Sequence, residues 1–358
     1  MQAIVIHGAR DLRLEACPAA SPGSGEVQID LALGGICGSD LHYYNHGGFG
    51  AIRLREPMIL GHEVAGHVRA LGPDGSGPDV PGPDVSGLAV GDLVAVSPSL
   101  PCATCQFCQA GLPNHCLNMR FFGSAMPFPH IQGAFRKTLT TEARRCVPAT
   151  GLSPALAAMA EPLSVVLHAT RLASDRAGEL AGKTVLVTGC GPIGLLAILA
   201  ARWAGAHTII ATDLSDFTLQ TARRIGADHI FNSAETPDAL DPFHKDKGQI
   251  DVLFECSGAA AALAGAIPAL RPRGVILQLG LGGDMAVPMM AITAKELTLQ
   301  GAFRFHEEFA TAIALMQQGA IDPSPLITHT HGFDDAEIAF QNANNRQSAL
   351  KAQIDFRT

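Results

Sequence analysis

Residues 183–194 read Lys183-Thr-Val-Leu-Val-Thr-Gly189-Cys-Gly191-Pro-Ile-Gly194: an apolar β-type run, three glycines spaced G-x-G-x-x-G, then an apolar helical segment over 195–204. Strand, glycine turn and helix in this order are the context that a dinucleotide-binding fingerprint requires. The glycines permit a tight turn and close approach of a pyrophosphate, and the helix N-terminus, with Pro192 and Ile193 in its first turn, meets the negative charge. A second strand over 208–212 ends in Asp213, placed to accept hydrogen bonds from ribose hydroxyls and to repel a 2′-phosphate. No arginine follows among Leu214, Ser215 and Asp216, which favours NAD and leaves NADP possible. Alternation continues with a strand over 251–256, an alanine-rich helix over 259–270 and a strand over 274–279. The strand-end loops at Cys256 and at Leu279-Gly280-Leu281 should line the cofactor crevice of an open, mostly parallel α/β sheet.

Outward from this core the text changes. Residues 1 to about 148 are short β-type runs, at 27–33, 64–70, 93–96 and 135–140, broken by Gly, Pro and Asp. Helix begins near Ser153-Pro154, and Pro162 should kink or restart it. Beyond 293 β segments return, at 297–303 and 351–356, around a helix over 307–318. The expected division is therefore a β-rich domain of residues 1–152 and 293–358 enclosing a dinucleotide domain of 153–292. Residues 72–87, GPDGSGPDVPGPDVSG, cannot bury a core and read as an exposed loop.

The β-rich part carries the metal chemistry. Cys102, Cys105, Cys108 and Cys116 offer four thiolates at spacings that enclose one tetrahedral zinc, leaving no position for substrate. An iron–sulfur cluster is the rival on ligands alone. In residues 35–46, Cys37, Ser39, His42, Tyr43 and His46 crowd a polar density that no core strand would carry. Gly61-His62-Glu63-Val64-Ala65-Gly66 adds an imidazole and a carboxylate suited to the same ion as Cys37. Glu161, between Ala160 and Pro162 in an apolar neighbourhood, would need a partner if buried, and a metal is the available one.

Composition sets the outer limits. A net charge of −8 with no basic run argues against nucleic acid or an anionic membrane as partner. The first residues lack a cationic stretch before an apolar one, so no signal peptide is expected, and no run approaches the ~18–20 apolar residues that span a bilayer. Nine cysteines, four of them clustered, fit metal binding in a reducing compartment, with the cytoplasm expected.

Together these motifs resemble the zinc-dependent medium-chain dehydrogenases over essentially the whole chain. They are Gly35-Ile-Cys37-Gly-Ser39-Asp-Leu-His42, Gly61-His62-Glu63-x-x-Gly66, the four-cysteine lobe (about 98–118), Glu161-Pro162-Leu163-Ser164, the dinucleotide glycines and Gly301-Ala-Phe-Arg304-Phe305. The polyol and sugar-acid branch fits best, through Tyr43-Tyr44, the Phe-Arg304 pair, Met119-Arg-Phe-Phe-Gly-Ser-Ala-Met126 and Phe128-Pro-His130. The longer 72–87 loop departs from the branch. The resemblance implies a GroES-like β-rich catalytic domain plus a Rossmann domain, two zinc ions per subunit, a nicotinamide cofactor and a dimer or tetramer of identical chains. It implies Cys37 and His62 as inner-sphere ligands, with Glu63, Glu161 or both completing the shell. Ser39 would take the proton of the reacting alcohol, and His42 would pass it outward through the cofactor ribose. Tyr43 and Arg304 look like contacts to substrate hydroxyls. A sugar acid also needs a cation, for which Arg304 and Arg120 are the candidates ahead of Arg53 and Arg55. A zinc-free reductase does not fit these residues, and an idle NAD-binding protein need not retain Cys37, Ser39, His42, His62 and Glu63 together.

Overall fold

A computed structural model of the protein describes residues 1–73 and 87–358. The expectation of an exposed loop falls mostly on residues 74–86, outside the described ones. Strands Thr184–Thr188, Thr208–Asp213, His229–Asn232, Ile250–Glu255, Leu270–Gln278 and Thr298–Gly301 form one parallel sheet. Their spatial order is third, second, first, fourth, fifth, sixth. The order reverses between Thr184–Thr188 and Ile250–Glu255, so a crevice opens beyond their carboxyl ends, beside the Gly189 turn. Val185, Val187, Val252 and Phe254 are fully buried, as strands covered by helices on both faces must be.

The second sheet has seven strands. Cys146–Pro148, Leu93–Val96, Glu63–Leu71, Glu26–Gly35, Lys351–Asp355 and Ile327–Gly332 run in that order, and Thr138–Glu142 also pairs with Glu26–Gly35. Strand Gln2–Gly8 forms an antiparallel hairpin with Asp11–Ala16 and pairs with Met58–Ile59. The last strand of the chain, Lys351–Asp355, lies antiparallel to the end of Glu26–Gly35, with Gln353 opposite Gly35 and Asp355 opposite Leu33.

Three local expectations shift. The chain does not return to the β-rich part at 293, because Thr298–Gly301 is the sixth strand of the parallel sheet. Helix Glu308–Gln317 also buries Phe309, Ala312, Ile313 and Met316 in the core shared with Val185 and Leu195; that three-and-four spacing is one helix face, met by helix Ala160–Ala177. The return comes at Ile327–Gly332. The strand expected over 135–140 starts at Thr138, since Phe135 instead packs its ring under Gly61. The helix expected over 259–270 ends at Ala266, with a 3₁₀ turn around Pro268. Pro162 restarts its helix as expected: Pro154–Ala157 is a separate turn, and Pro162 falls in the first turn of Ala160–Ala177, where no intrahelical N–H is needed.

Candidate active site

Helix Gly38–His46 begins at Cys37, its N-cap, and buries Asp40, Tyr43 and Tyr44. Ser39, His42 and His46 follow the i, i+3, i+7 line of the same helix and share another face. Gly61, with φ +90, turns the chain into His62 and Glu63; a Cβ there would lie 2.0 Å from the Phe135 ring. One ligand atom each of Cys37, His62 and Glu63 lies within 4.8 Å of the others.

Burial holds three acidic groups here, Cys37, Asp40 and Glu161, back from ionisation. The Cys37 thiol is raised to about 12, by burial first and then by the Glu63 charge. Glu161 is raised to about 8 by burial, against the pull of His62. Asp40 is raised by burial too, and its carboxylate accepts the N–H of Cys37 at 3.0 Å and of Gly61 at 3.2 Å. Among the described residues Nδ1 of His62 is buried without a hydrogen-bond partner, 3.8 Å from Asp40. A thiol, an imidazole and carboxylates held this way suit a dication, which deprotonates a coordinating thiol outright. Residues fitting zinc are therefore Cys37, His62 and Glu63, with Glu161 close enough to feel the charges of all three. Two partners escaped the sequence reading. Lys351, from the last strand, donates to both carboxylate oxygens of Glu63 at 2.7 Å. Asp40 stands inside the quoted 35–46 stretch, and its acid in a first helical turn was the available signal; nothing local pointed to Lys351.

Arg304 and Tyr43 join the same site. Arg304 sits at φ +56, its guanidinium 4.3 Å from the Phe121 ring centroid and 4.8 Å from that of Phe303. Burial lowers it to about 10, opposed by the charge of Glu161. The Tyr43 hydroxyl oxygen accepts the Ala125 N–H at 3.0 Å, leaving its own hydrogen to donate. Phe121 lies beside His62, 5.5 Å between ring centroids. Arg120 is not brought in: it precedes Phe121 in strand Arg120–Phe121, is exposed where Phe121 is buried, and so lies on the opposite face. Arg53 and Arg55 are exposed, Arg53 along the cavity beside His42.

The four cysteines converge separately. Sγ atoms of Cys105 and Cys108 are 3.5 Å apart, close to the spacing of about 3.8 Å for thiolates around tetrahedral zinc at 2.3 Å. Backbone N–H groups of Cys102 and Asn118 donate to Cys116 Sγ, at 3.1 and 3.3 Å. Cys102 is lowered to about 5, first by the Thr104 hydroxyl. The set fits a closed metal site.

At the crevice, Gly189 has φ +83 and touches Ser257, and a Cβ on Gly194 would strike the Gly189 carbonyl at 1.8 Å. A Cβ on Gly191 would meet nothing within 4 Å, the open cradle a pyrophosphate needs before the helix of Pro192, Ile193 and Gly194. Asp213 accepts the N–H of Cys190 at 2.6 Å and of Ser215 at 2.9 Å. Leu279 and Cys256 are half-buried, whereas Leu281 is exposed. Between His42, His46 and Phe49 on one side and Gln278, Gly280 and Leu281 on the other lies a cavity of about 840 Å³.

Fold and site have the form of a two-part dehydrogenase, with residues that fit zinc in the β-rich part and a glycine turn that fits a dinucleotide on the parallel sheet. Residues 23–151 match the alcohol dehydrogenase GroES-like domain, and residues 192–318 match the zinc-binding dehydrogenase domain. The chain belongs to the zinc-dependent alcohol dehydrogenase family. It is 40% identical to the L-idonate 5-dehydrogenase (NAD(P)(+)) of Escherichia coli strain K12, over 92% of this chain and 91% of that protein. It is 34% identical to the sorbitol dehydrogenase of Bacillus subtilis strain 168, over 99% and 97%. The crystal structure of L-idonate 5-dehydrogenase from Escherichia coli K-12 matches with a TM-score of 0.89 at 38% identity, covering 99% of this chain and 97% of that one. Among the described residues no helix is long and apolar enough to cross a membrane.

Proposed function

We propose that this protein oxidises the C5 hydroxyl of L-idonate to 5-keto-D-gluconate, reversibly, with NAD as partner and two zinc ions per chain. The observation that carries the reading is Arg304. It is a half-buried guanidinium over two phenylalanine rings, and among the described residues no carboxylate forms an ion pair with it. A cation partly withdrawn from water gains from an anionic partner, and arginine pairs a carboxylate bidentately, so a sugar acid completes this site better than a neutral polyol. Its left-handed backbone is the strain that binding sites tend to hold. The relative named for L-idonate points the same way.

Bound zinc supplies a Lewis acid that eases loss of a hydroxyl proton, and the nicotinamide accepts the hydride. Cys37, His62 and Glu63 hold the first metal, Glu161 acts beside it, and the four-cysteine lobe holds the second. Ser39 takes the proton and His42, one turn on, carries it to the cavity. Burial, then His46 and Arg346, lower the His42 pKa, so its ring is neutral and able to accept at pH 7. Tyr43 donates to a substrate oxygen. Asp213 selects the unphosphorylated ribose, hence NAD over NADP.

Likeness to a sorbitol dehydrogenase over nearly the full chain makes a polyol the second reading. A zinc-replete assay with L-idonate, D-gluconate, sorbitol and xylitol, each with NAD and NADP, separates them. The acid reading expects turnover of L-idonate with NAD well above that of either polyol; faster polyols would sink it.

A further inference from the structure

We propose that Glu255 is a positioning residue for the nicotinamide cofactor, bracing both strand-end loops that wall the crevice. Neither the zinc chemistry nor the proton path uses it. It ends strand Ile250–Glu255 at the point where the sheet order reverses, level with Thr188 on one side and Gln278 on the other, and it has no exposed surface. Its carboxylate accepts the Ser257 N–H at 2.9 Å, the Gly258 N–H at 3.1 Å, Nε2 of Gln278 at 2.6 Å, and the hydroxyls of Thr188 and Ser257. Its backbone carbonyl accepts the N–H of both Leu279 and Gly280 at 2.9 Å. One residue thus ties the 256–258 loop through its side chain and the 279–280 loop through its main chain. Gln278 closes the link by donating to the Gly280 carbonyl at 3.0 Å.

Two features show what this bracing is for. First, the loops meet backbone to backbone: a Cβ on Gly280 would lie 2.1 Å from the Gly258 nitrogen, and one on Gly282 1.7 Å from the Gly258 oxygen. The surface they make, with Gln278, Gly280, Leu281 and Gly282, is the wall of the cavity that faces His42. Second, every group aimed at the Glu255 carboxylate is a neutral donor, and among the described residues no Lys, Arg or His forms an ion pair with it. Burying a charge without an ionic partner is expensive unless hydrogen bonds satisfy it. A glutamine of the same size would turn its own N–H groups against those of Gly258 or Gln278, so only an acceptor-only group fits. The carboxylate fixes the two loops as one surface, and the cofactor binds a wall that is already formed.

This inference rests on the reading of the crevice as the cofactor site, and the test separates the two. NADH and NADPH binding would be followed by fluorescence titration in the zinc-loaded wild type, E255Q, and the double variant E255Q/Q278E. In E255Q the NADH dissociation constant and the KM for NAD should rise about tenfold, the scale of unsatisfied buried donors. The kcat at saturating NAD, the KM of the alcohol and the zinc content should stay within about twofold. The double variant restores an acceptor opposite a donor at the 255–278 contact but loses the bond to the Gly280 carbonyl, so it should recover only part of the affinity. If E255Q does not fold, Q278M removes only the bridging donor and should weaken NADH binding a few-fold. Unchanged NADH affinity in a folded E255Q or Q278M would overturn the role of Glu255 alone. So would a joint fall in kcat, zinc content and cofactor affinity, the mark of general damage. A wild type that binds neither dinucleotide would overturn the cofactor reading itself.

Discussion

The two groups of residues suited to metal are built on opposite plans. The four-cysteine lobe draws everything from residues 102–116, in turns whose own N–H groups point at sulfur. The inner site draws Cys37 from a helix cap, His62 and Glu63 from the start of a strand, Glu161 from a first helical turn and Lys351 from the far end of the chain. The first has no core of its own, so metal must organise it. The second is organised by both sheets before metal arrives, with Glu63 clamped by Lys351 and the Cys37 and Gly61 amides held by Asp40. Loss of metal should therefore unfold one and merely silence the other.

The largest effect tests that contrast. Cys37→Ala should remove one of two zinc equivalents and lower kcat/KM at least a thousandfold, since the Lewis acid supplies several kcal/mol of catalysis, with little change in resistance to protease. Cys105→Ser should remove the other equivalent and open the 102–116 region to cleavage, while folded molecules keep activity within about tenfold. Zinc content, turnover and limited proteolysis read all three. Equal protease sensitivity of the two variants would erase the distinction.

The same contrast explains what the sequence could and could not disclose. Short spacings, as among Cys102, Cys105, Cys108 and Cys116 or Gly189, Gly191 and Gly194, are themselves the geometry, because a few residues of chain leave little choice of where the side chains go. Cys37 and His62 were legible because each sits in its own dense motif. Lys351 was not: an isolated lysine in an apolar strand acquires meaning only when that strand pairs beside Gly35 and lays its ammonium on Glu63. Glu255 was hidden for the same reason, since its donors come from three separate strand ends. The edge strand Thr298–Gly301 was read as β structure but assigned to the wrong sheet, a choice that local pattern does not encode.

A second test addresses the clamp. Lys351→Met leaves the Glu63 carboxylate buried and uncompensated, which should destabilise the metal-free protein by about 3–5 kcal/mol. Added zinc replaces the lost positive charge, so the penalty should shrink in the loaded enzyme. Urea midpoints with and without zinc decide this; a penalty indifferent to zinc would mean that Lys351 serves the fold and not the site.

A buried carboxylate paired by histidine and an exposed arginine provides the reference case. His168 and Arg171 reach Glu308 across the two packed helices, at 3.0 and 2.9 Å. Burial alone would raise the Glu308 pKa, but the His168 bond, the His306 N–H and Arg171 outweigh it and hold it well below the usual carboxylate range. A depressed folded pKa stabilises above the unfolded value of about 4.3 and is lost as pH falls toward the folded one. Glu308→Gln should thus cost about 1.5–3 kcal/mol at pH 7, progressively less below about pH 4, and equally with or without zinc. A difference that grew on acidification would reverse the sign assigned here.

The smallest effect lies on the boundary between the two sites. Strand Arg120–Phe121 pairs with Ser99–Leu100, which leads into the lobe, while Phe121 lies under Arg304 and beside His62. Alternation along a strand then divides neighbours between environments: Phe121 belongs to the inner site, and Arg120 faces solvent on the other side. Both arginines are candidates by chemistry for a substrate carboxylate, yet Arg304 is the one close enough to Glu161 to feel its charge. Arg120→Ala should leave kcat/KM for sugar acids within about twofold, as an exposed substitution generally does. Arg304→Ala should lower it about a hundredfold or more through loss of a charge-assisted pair. If Arg120→Ala proved the more damaging, the lobe side of this strand would have to reach the substrate, and the separation of a metal-built lobe from a fold-built active site would fail at that strand.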